Sequence, residues 1–119
     1  MTQEHKELLL KDLCARLPYG IRAFYYGVED EIESITLDGH IKIGKYSLPI
    51  EHIKPYLFPL SNMTEEQSKE YHELIGGMFG TSALINFEIL EDFFHKNHLD
   101  YKGLIEKGFA IDATNLNIY

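Results

Sequence analysis

The segment E-D-F-F-H-K-N-H carries histidines and carboxylates at a spacing that a metal site on one helix could use. His95 and His98 stand three residues apart, and Glu91 precedes His95 by one helical turn. Imidazole and carboxylate groups are common ligands of zinc and related ions. However, Phe93 and Phe94 predict that the neighbouring face of the helix is buried in the core. Histidine is also favoured in the last turn of a helix because its positive charge interacts well with the helix dipole. We therefore expect no metal and no cofactor, with Glu91, His95 and His98 as the weak candidates.

Covalent catalysis has little support in the sequence. The single cysteine, Cys14, shares a helical face with Leu10, Leu13 and Leu17, so we expect a small buried apolar side chain. No serine lies in a G-x-S-x-G turn. The paired carboxylates lie in runs that look exposed, where solvation gives them no special reactivity. These patterns predict a protein that is not an enzyme.

The net charge of -8 is unevenly distributed. Five carboxylates and no basic residue fall within ten positions; they are Glu29, Asp30, Glu31, Glu33 and Asp38. They fit a solvated hairpin edge that resists aggregation, or a docking patch for a basic partner. Direct binding to a nucleic-acid backbone is disfavoured, because it depends on clustered lysine and arginine.

The glycine-rich run from Gly76 to Ser82, G-G-M-F-G-T-S, predicts the end of one helix and the start of another. Free amides at a helix start attract anions, but this run has no lysine and lacks the P-loop spacing. A helix C-cap followed by an N-cap is therefore the favoured interpretation.

Eight tyrosines against no tryptophan is an unusual balance. An aromatic platform could stack bases, but such platforms come with a basic groove. Tyr25 and Tyr26 are expected on opposite faces of one strand, so at most one of them belongs to any platform. Packing in the core and its rim is favoured over a protein interface, although tyrosine is enriched in both settings.

Local signals predict a helix followed by a sheet. Thr2 can cap a helix over residues 3 to 16, which Pro18 and Gly20 end. The β-branched and aromatic residues from Ile21 to Val28 predict a strand. Two further strands, residues 32–37 and 40–46, are joined by Asp38-Gly39, which suits a tight turn. These segments predict a three-stranded antiparallel meander.

Three prolines within eleven residues, Pro49, Pro55 and Pro59, follow this meander. Each fixes φ and removes a backbone donor, so we expect a packed connector with a helical turn at residues 50–53, and no central strand.

The C-terminal half predicts helices. Thr64 and Gln67 form a capping box for a helix that extends to about Ile75. Ser82 can cap a third helix to about Asn97, whose broad apolar face predicts the central core helix. A short fourth helix is expected from residue 100 to 108.

Together these elements predict an α+β fold in one domain, residues 1–119. It has an N-terminal helix, the three-stranded meander, the proline-rich connector, and two to three C-terminal helices packed on one face. No apolar run is long enough to cross a membrane, and the polar N-terminus lacks the apolar core of a signal peptide. We expect a soluble cytoplasmic protein.

Three segments of the sequence resemble segments of a known family. They are K-D-L-C-A-R-L-P-Y-G, I-K-P-Y-L-F-P-L-S-N-M-T-E-E-Q and D-Y-K-G-L-I-E-K-G-F-A-I-D-A. The family consists of small uncharacterised proteins of gut bacteria, often carried by prophages or other mobile elements. The resemblance implies no activity and no functional residues.

The resulting functional prediction is an accessory or interaction protein of a mobile element that acts through protein contacts. One alternative is an acidic decoy that occupies a nucleic-acid-binding protein. A second is a small enzyme with an unrecognised site. The partner and the oligomeric state stay open.

Overall fold

The computed structural model describes residues 1–80 and 87–119. Within these ranges the helices are α1 (Gln3–Arg16), α2 (Glu65–Gly80) and α3 (Phe87–Lys96). The strands are β1 (Arg22–Tyr25), β2 (Val28–Ile35), β3 (His40–Ile43), β4 (Tyr46–Pro49), β5 (Lys54–Pro59), β6 (Leu99–Asp100) and β7 (Ile111–Asp112). No helix in the described ranges is long and apolar enough to cross a membrane.

A seven-stranded mixed sheet organises the fold, so the predicted three-stranded meander with helices packed on it is wrong. The strand order is β4-β3-β2-β1-β5-β6, and β7 also pairs with β5. Strands dominate the core.

Two unrecognised turns account for part of this error. Tyr26-Gly27 separates β1 from β2, with φ values of 47° and 80°. Gly44-Lys45 separates β3 from β4, with φ of 57° at Gly44. Each turn divides a predicted strand into two antiparallel strands. The Asp38-Gly39 turn between β2 and β3 is confirmed, with φ of 83° at Gly39.

The proline-rich connector contains β5, so the prediction that it holds no central strand is wrong. β5 pairs antiparallel with β1 and parallel with β6 and β7. Pro55 and Pro59 occupy the second and last positions of β5, so the backbone N–H groups of the residues between them can still donate hydrogen bonds. The Phe58 amide, for example, donates to the His98 carbonyl at 2.8 Å. The predicted helical turn before β5 is confirmed as a 3₁₀ turn over Ile50–His52.

The main core lies between α1 and the sheet. It is built from apolar side chains of α1, of strands β1 to β5 and of the segment after β6, including Leu9, Leu13, Ile21, Ala23, Ile32, Ile41, Ile43, Leu57 and Leu104. The predicted bounds of α1 are confirmed, and Thr2 Oγ1 accepts the His5 amide at 3.2 Å.

The buried stripe of α1 differs from the predicted one. It consists of Leu9, Asp12, Leu13 and Arg16, whereas Cys14 is exposed. The prediction of a buried Cys14 is therefore wrong, because an ion pair between Asp12 and Arg16 lets two charged side chains enter the core.

A second apolar cluster joins α3 to α2 and β6, with Phe93, Phe94 and Leu99 at its centre. Because this cluster is separate from the main core, α3 is not the central core helix that its apolar face predicted. The Thr64–Gln67 capping box is confirmed in both directions, at 2.9 and 3.1 Å.

The C-terminal elements depart from prediction at two more places. Helix α2 continues through Gly76 to Gly80, so the predicted break at Gly76 is wrong. The predicted cap at Ser82 lies outside the described residues. The predicted fourth helix is also wrong: residues 101–110 form turns and bends, and the Asp100 carboxylate accepts the amides of Leu104 and Ile105, both at 2.9 Å.

Candidate functional site

Two tight turns bring tyrosines together at one end of the sheet. Tyr25 and Tyr26 come from the β1–β2 turn, Tyr46 follows the β3–β4 turn, and His52 ends the 3₁₀ turn before β5. We call these four residues the tyrosine tip. The three tyrosine ring centroids lie 6.0 to 6.4 Å apart, with interplanar angles between 64° and 88°. The Tyr26 hydroxyl lies 2.6 Å from His52 Nδ1.

This arrangement corrects the prediction that Tyr25 and Tyr26 lie on opposite faces of one strand. Tyr26 is the first residue of a two-residue turn, and its φ of 47° removes its side chain from the alternation of β1. Both rings therefore reach the same cluster.

Tyr26 occupies a costly backbone conformation without being buried. Two-residue turns with positive φ at both positions favour asparagine, aspartate and glycine. Other L-residues pay roughly 1–2 kcal/mol there because the Cβ atom crowds the backbone. The Tyr26 side chain is 62% exposed, so core packing offsets little of that cost. The strain is carried by a residue that faces solvent.

A carboxylate adjoins the tip. A Cβ atom built on Gly44 would lie 2.5 Å from the Tyr25 hydroxyl oxygen and 3.4 Å from Asp30 Oδ2, so both oxygens lie over this glycine. Asp30 Oδ1 accepts the Glu31 amide at 2.8 Å, and Asp30 forms no ion pair with any described residue. Burial, the Asp30 charge and Tyr46 together raise the pKa of Tyr25.

The predicted acidic patch is divided between two faces of the sheet. Asp30 pairs with the buried Ala23 and so lies on the α1 side. Glu29 and Glu31 lie on the opposite face. Two hydrogen bonds from the Arg22 guanidinium hold Glu29 and lower its pKa.

The other two predicted patch residues have different local environments. Glu33 lies at an irregularity of the β2–β3 pairing, between Ile32 and Ser34. Asp38 accepts the Thr36 hydroxyl, a hydrogen bond that lowers the pKa of Asp38, and its carboxylate lies 3.2 Å from His40 Nδ1. Since Lys42 and Lys54 also lie on the face of Glu29 and Glu31, that face is of mixed charge.

A buried polar network lies between α1 and the segment around β6. Arg16 Nε donates to Asp12 Oδ2 and its Nη2 donates to the Leu99 carbonyl, both at 2.7 Å. Both charged side chains are fully buried. The Arg16 guanidinium lies 5.7 Å from the centre of the Tyr101 ring, and Lys102 Nζ lies 3.8 Å from Asp12 Oδ1.

The same network holds one of the candidate metal ligands. His95 is 4% exposed, and its Nε2 lies 2.9 Å from the Tyr101 hydroxyl. Burial and the nearby Arg16 charge lower the pKa of His95, and burial raises the pKa of Tyr101 to about 12. We call Asp12, Arg16, His95, Tyr101 and Lys102 the buried network.

The other two metal candidates lie elsewhere. The His98 ring stacks on Tyr119, with centroids 3.7 Å apart, and burial lowers the pKa of His98 to about 4. Glu91 is exposed on α3. Within residues 1–80 and 87–119, no three His, Cys, Asp or Glu side chains are grouped as metal ligands.

The sequence did not indicate the role of Tyr119. Its hydroxyl accepts the Arg22 amide at 3.0 Å and donates to the Tyr56 carbonyl at 2.8 Å, so it connects β1 to β5. The segment around it carries too few apolar residues to predict such a contact.

Comparison with protein-family models, with curated proteins and with solved structures finds no match for this chain. The resemblance to small proteins of gut bacteria therefore stays a prediction.

Proposed function

We propose that this chain is a non-catalytic interaction protein that binds a protein partner through the tyrosine tip. The observation that supports this most is the position of Tyr26, a 62% exposed aromatic side chain on a residue with φ of 47°. Strained backbone conformations cluster at ligand-binding and switch regions, where surrounding structure holds them in place.

The composition of the tip also suits a protein interface. Tyrosine is enriched at interfaces and among residues that dominate binding energy, because it buries a large ring and retains a polar hydroxyl. Tyr46 and Val28, at the neighbouring turn and strand start, are 44% and 51% exposed. A partner would therefore meet a contiguous exposed surface at this end of the sheet.

The biological setting is part of the same proposal. The resemblance of three sequence words to proteins of prophages and other mobile elements supports accessory work for such an element. The charged composition and the single cysteine support a cytoplasmic location. The partner is thus expected among cytoplasmic proteins of the bacterial host or of the element itself.

Capture experiments with matched variants test the proposal. The full chain serves as bait in an extract of the native host, with bound proteins identified by mass spectrometry. Tyr26→Asn removes the exposed ring and introduces a residue that suits the turn. The control is Tyr19→Asn, which removes a 40% exposed tyrosine outside the tip.

We expect a partner that wild type and Tyr19→Asn retain and that Tyr26→Asn loses by tenfold or more. Equal recovery with all three baits would contradict the proposal.

The acidic decoy is the alternative, supported by the net charge of -8. The separation of Asp30 from Glu29 and Glu31 weighs against it, because a nucleic-acid mimic needs its charges on one surface. A partner lost from Glu31→Lys, kept by Tyr26→Asn and displaced by added DNA would favour the decoy.

A small enzyme is the second alternative. A surface depression of about 480 Å³ is lined by residues that include Asp100, Tyr101 and Glu106. The Asp100 carboxylate is already bound by two backbone amides, so it is poorly suited to act as a base.

A further inference from the structure

The tyrosine tip offers features that suit a cation. Its rings meet edge to face, with interplanar angles of 64°, 68° and 88°, which covers each ring face only in part. Tyr26 and Tyr46 consequently remain 62% and 44% exposed. The face of an aromatic ring carries negative electrostatic potential and attracts ammonium and guanidinium groups.

The chain itself already places a cation at this surface. Lys45, in the β3–β4 turn, has its Nζ atom 5.9 Å from the centre of the Tyr46 ring. This distance lies within the range of a cation–π contact, and the Tyr26 ring has no such partner among the described residues.

A carboxylate oxygen beside the rings adds a second attraction. Asp30 Oδ2 lies over Gly44, next to the Tyr25 hydroxyl, and takes part in no hydrogen bond or ion pair with a described residue. The Arg22 guanidinium forms its hydrogen bonds with Glu29, on the opposite face of the sheet from Asp30. The whole chain carries a net charge of -8, which attracts basic partners at long range.

We propose that the tyrosine tip receives an arginine side chain of the partner, stacked on the Tyr26 ring and paired with Asp30. Arginine fits better than lysine, because its planar guanidinium is weakly hydrated, stacks on aromatic faces and presents several donors to a carboxylate. This inference rests on the proposed function and specifies the partner's contact residue.

Short blocked peptides test the inference directly on the full chain. The probe is acetyl-Gly-Arg-Gly-amide, and the matched probe replaces arginine by citrulline, which has the same shape and no charge. A third probe carries lysine. Binding is followed through the NMR signals of the tyrosine ring protons.

We expect the arginine peptide to shift the Tyr26 and Tyr46 signals and to bind about fivefold more tightly than the citrulline peptide, with lysine in between. Asp30→Asn should weaken arginine binding about threefold. Lys45→Met should strengthen it about twofold, because a competing cation is removed. The signals of Tyr19 should not move.

Three results would overturn the inference: equal binding of arginine and citrulline peptides, tighter binding of lysine, or no shift with the arginine peptide at millimolar concentration. If Tyr26→Asn still loses a captured partner while the peptides fail, the docking surface stands and the arginine assignment is wrong. If capture also fails to depend on Tyr26, the proposed function itself is wrong.

Discussion

In the part of the chain that the structure describes, a tyrosine hydroxyl lies within hydrogen-bond distance of a histidine ring nitrogen at two places, one buried and one exposed. In the buried network the Tyr101 hydroxyl lies 2.9 Å from His95 Nε2, and His95 is 4% exposed. At the tyrosine tip the Tyr26 hydroxyl lies 2.6 Å from His52 Nδ1, and Tyr26 is 62% exposed. Residue type and spacing therefore do not assign a role to such a contact. Access to water decides whether such a pair holds the fold together or is available to a partner.

The two regions also differ in the backbone that supports them. The buried network is anchored on the regular helices α1 and α3, where Asp12 and Arg16 stand one turn apart. The tip depends on Tyr26 and Gly27 at positive φ. We therefore expect substitutions in the buried network to change stability, and substitutions in the tip to change binding.

Arg16→Ala is expected to have the largest effect, a loss of about 3–5 kcal/mol in the free energy of unfolding, because the buried Asp12 charge loses its hydrogen-bonded partner and keeps only Lys102 Nζ, at 3.8 Å. Urea denaturation measures this loss. The double variant Asp12→Leu/Arg16→Met removes both charges and should lose less than half as much. If the single and double variants lose equally, packing and not charge pairing governs the site.

Acidification is expected to destabilise the protein through the buried histidines. Burial lowers the pKa of His98 from 6.5 to about 4 and also lowers that of His95. Between pH 6.5 and pH 4 these histidines bind more protons in the unfolded chain than in the folded one. Their contribution to stability is therefore fully present above pH 6.5 and is lost as the pH is lowered.

For His98 this loss is expected to reach about 2 kcal/mol, after a reduction for solvent screening of a partly exposed ring. Denaturation midpoints at pH 7 and pH 4.5 measure it. His98→Asn suits the local φ of 56° and should show a flatter pH profile. An unchanged slope in His98→Asn would contradict this attribution.

Removing one hydroxyl compares the two tyrosine–histidine contacts directly. Tyr101→Phe should cost about 1–2 kcal/mol, because it leaves the buried His95 ring without a hydrogen-bond partner. Tyr26→Phe should cost less than about 0.5 kcal/mol, because water replaces the lost contact. Thermal and urea denaturation of the two variants provide the comparison, and equal losses would contradict it.

Among the substitutions that remove a whole side chain, Tyr26→Asn is expected to have the smallest net effect on stability. The substitution relieves backbone strain at a positive-φ position but loses ring contacts with Tyr25, Tyr46 and His52, and these effects largely offset each other. The free energy of unfolding should change by less than about 1 kcal/mol, while partner capture is lost. A destabilisation above about 2 kcal/mol would show that the Tyr26 ring is structural.

Features set by neighbouring residues could be predicted from the sequence. The Thr2 cap of α1, the Thr64–Gln67 capping box and the Asp38-Gly39 turn each depend on side chains within three or four positions of one another. The Tyr26-Gly27 turn escaped recognition because tyrosine is unusual at its first position, and with it the tyrosine tip was missed.

Features set by distant residues could not be predicted. Arg16 enters the core because Asp12 and the Leu99 carbonyl satisfy it, and Leu99 belongs to a strand far along the chain. β5 is a strand because β1, β6 and β7 supply its partners, although its prolines alone argue against pairing. The acidic residues lie on two faces of the sheet because of the registers in which β2 pairs with β1 and β3. Amino-acid composition carries no information about these registers.

The dependence of β5 on late segments has a consequence for how the chain reaches its native state. The hairpins of β1 to β4 close over short loops, whereas Tyr56 pairs with Ile111 and Phe58 with Leu99. Closing such long loops carries a larger entropic cost and slows folding. During synthesis, the β1–β4 meander can therefore form while residues 99–112 are still inside the ribosome, and one side of β5 stays uncovered until they emerge.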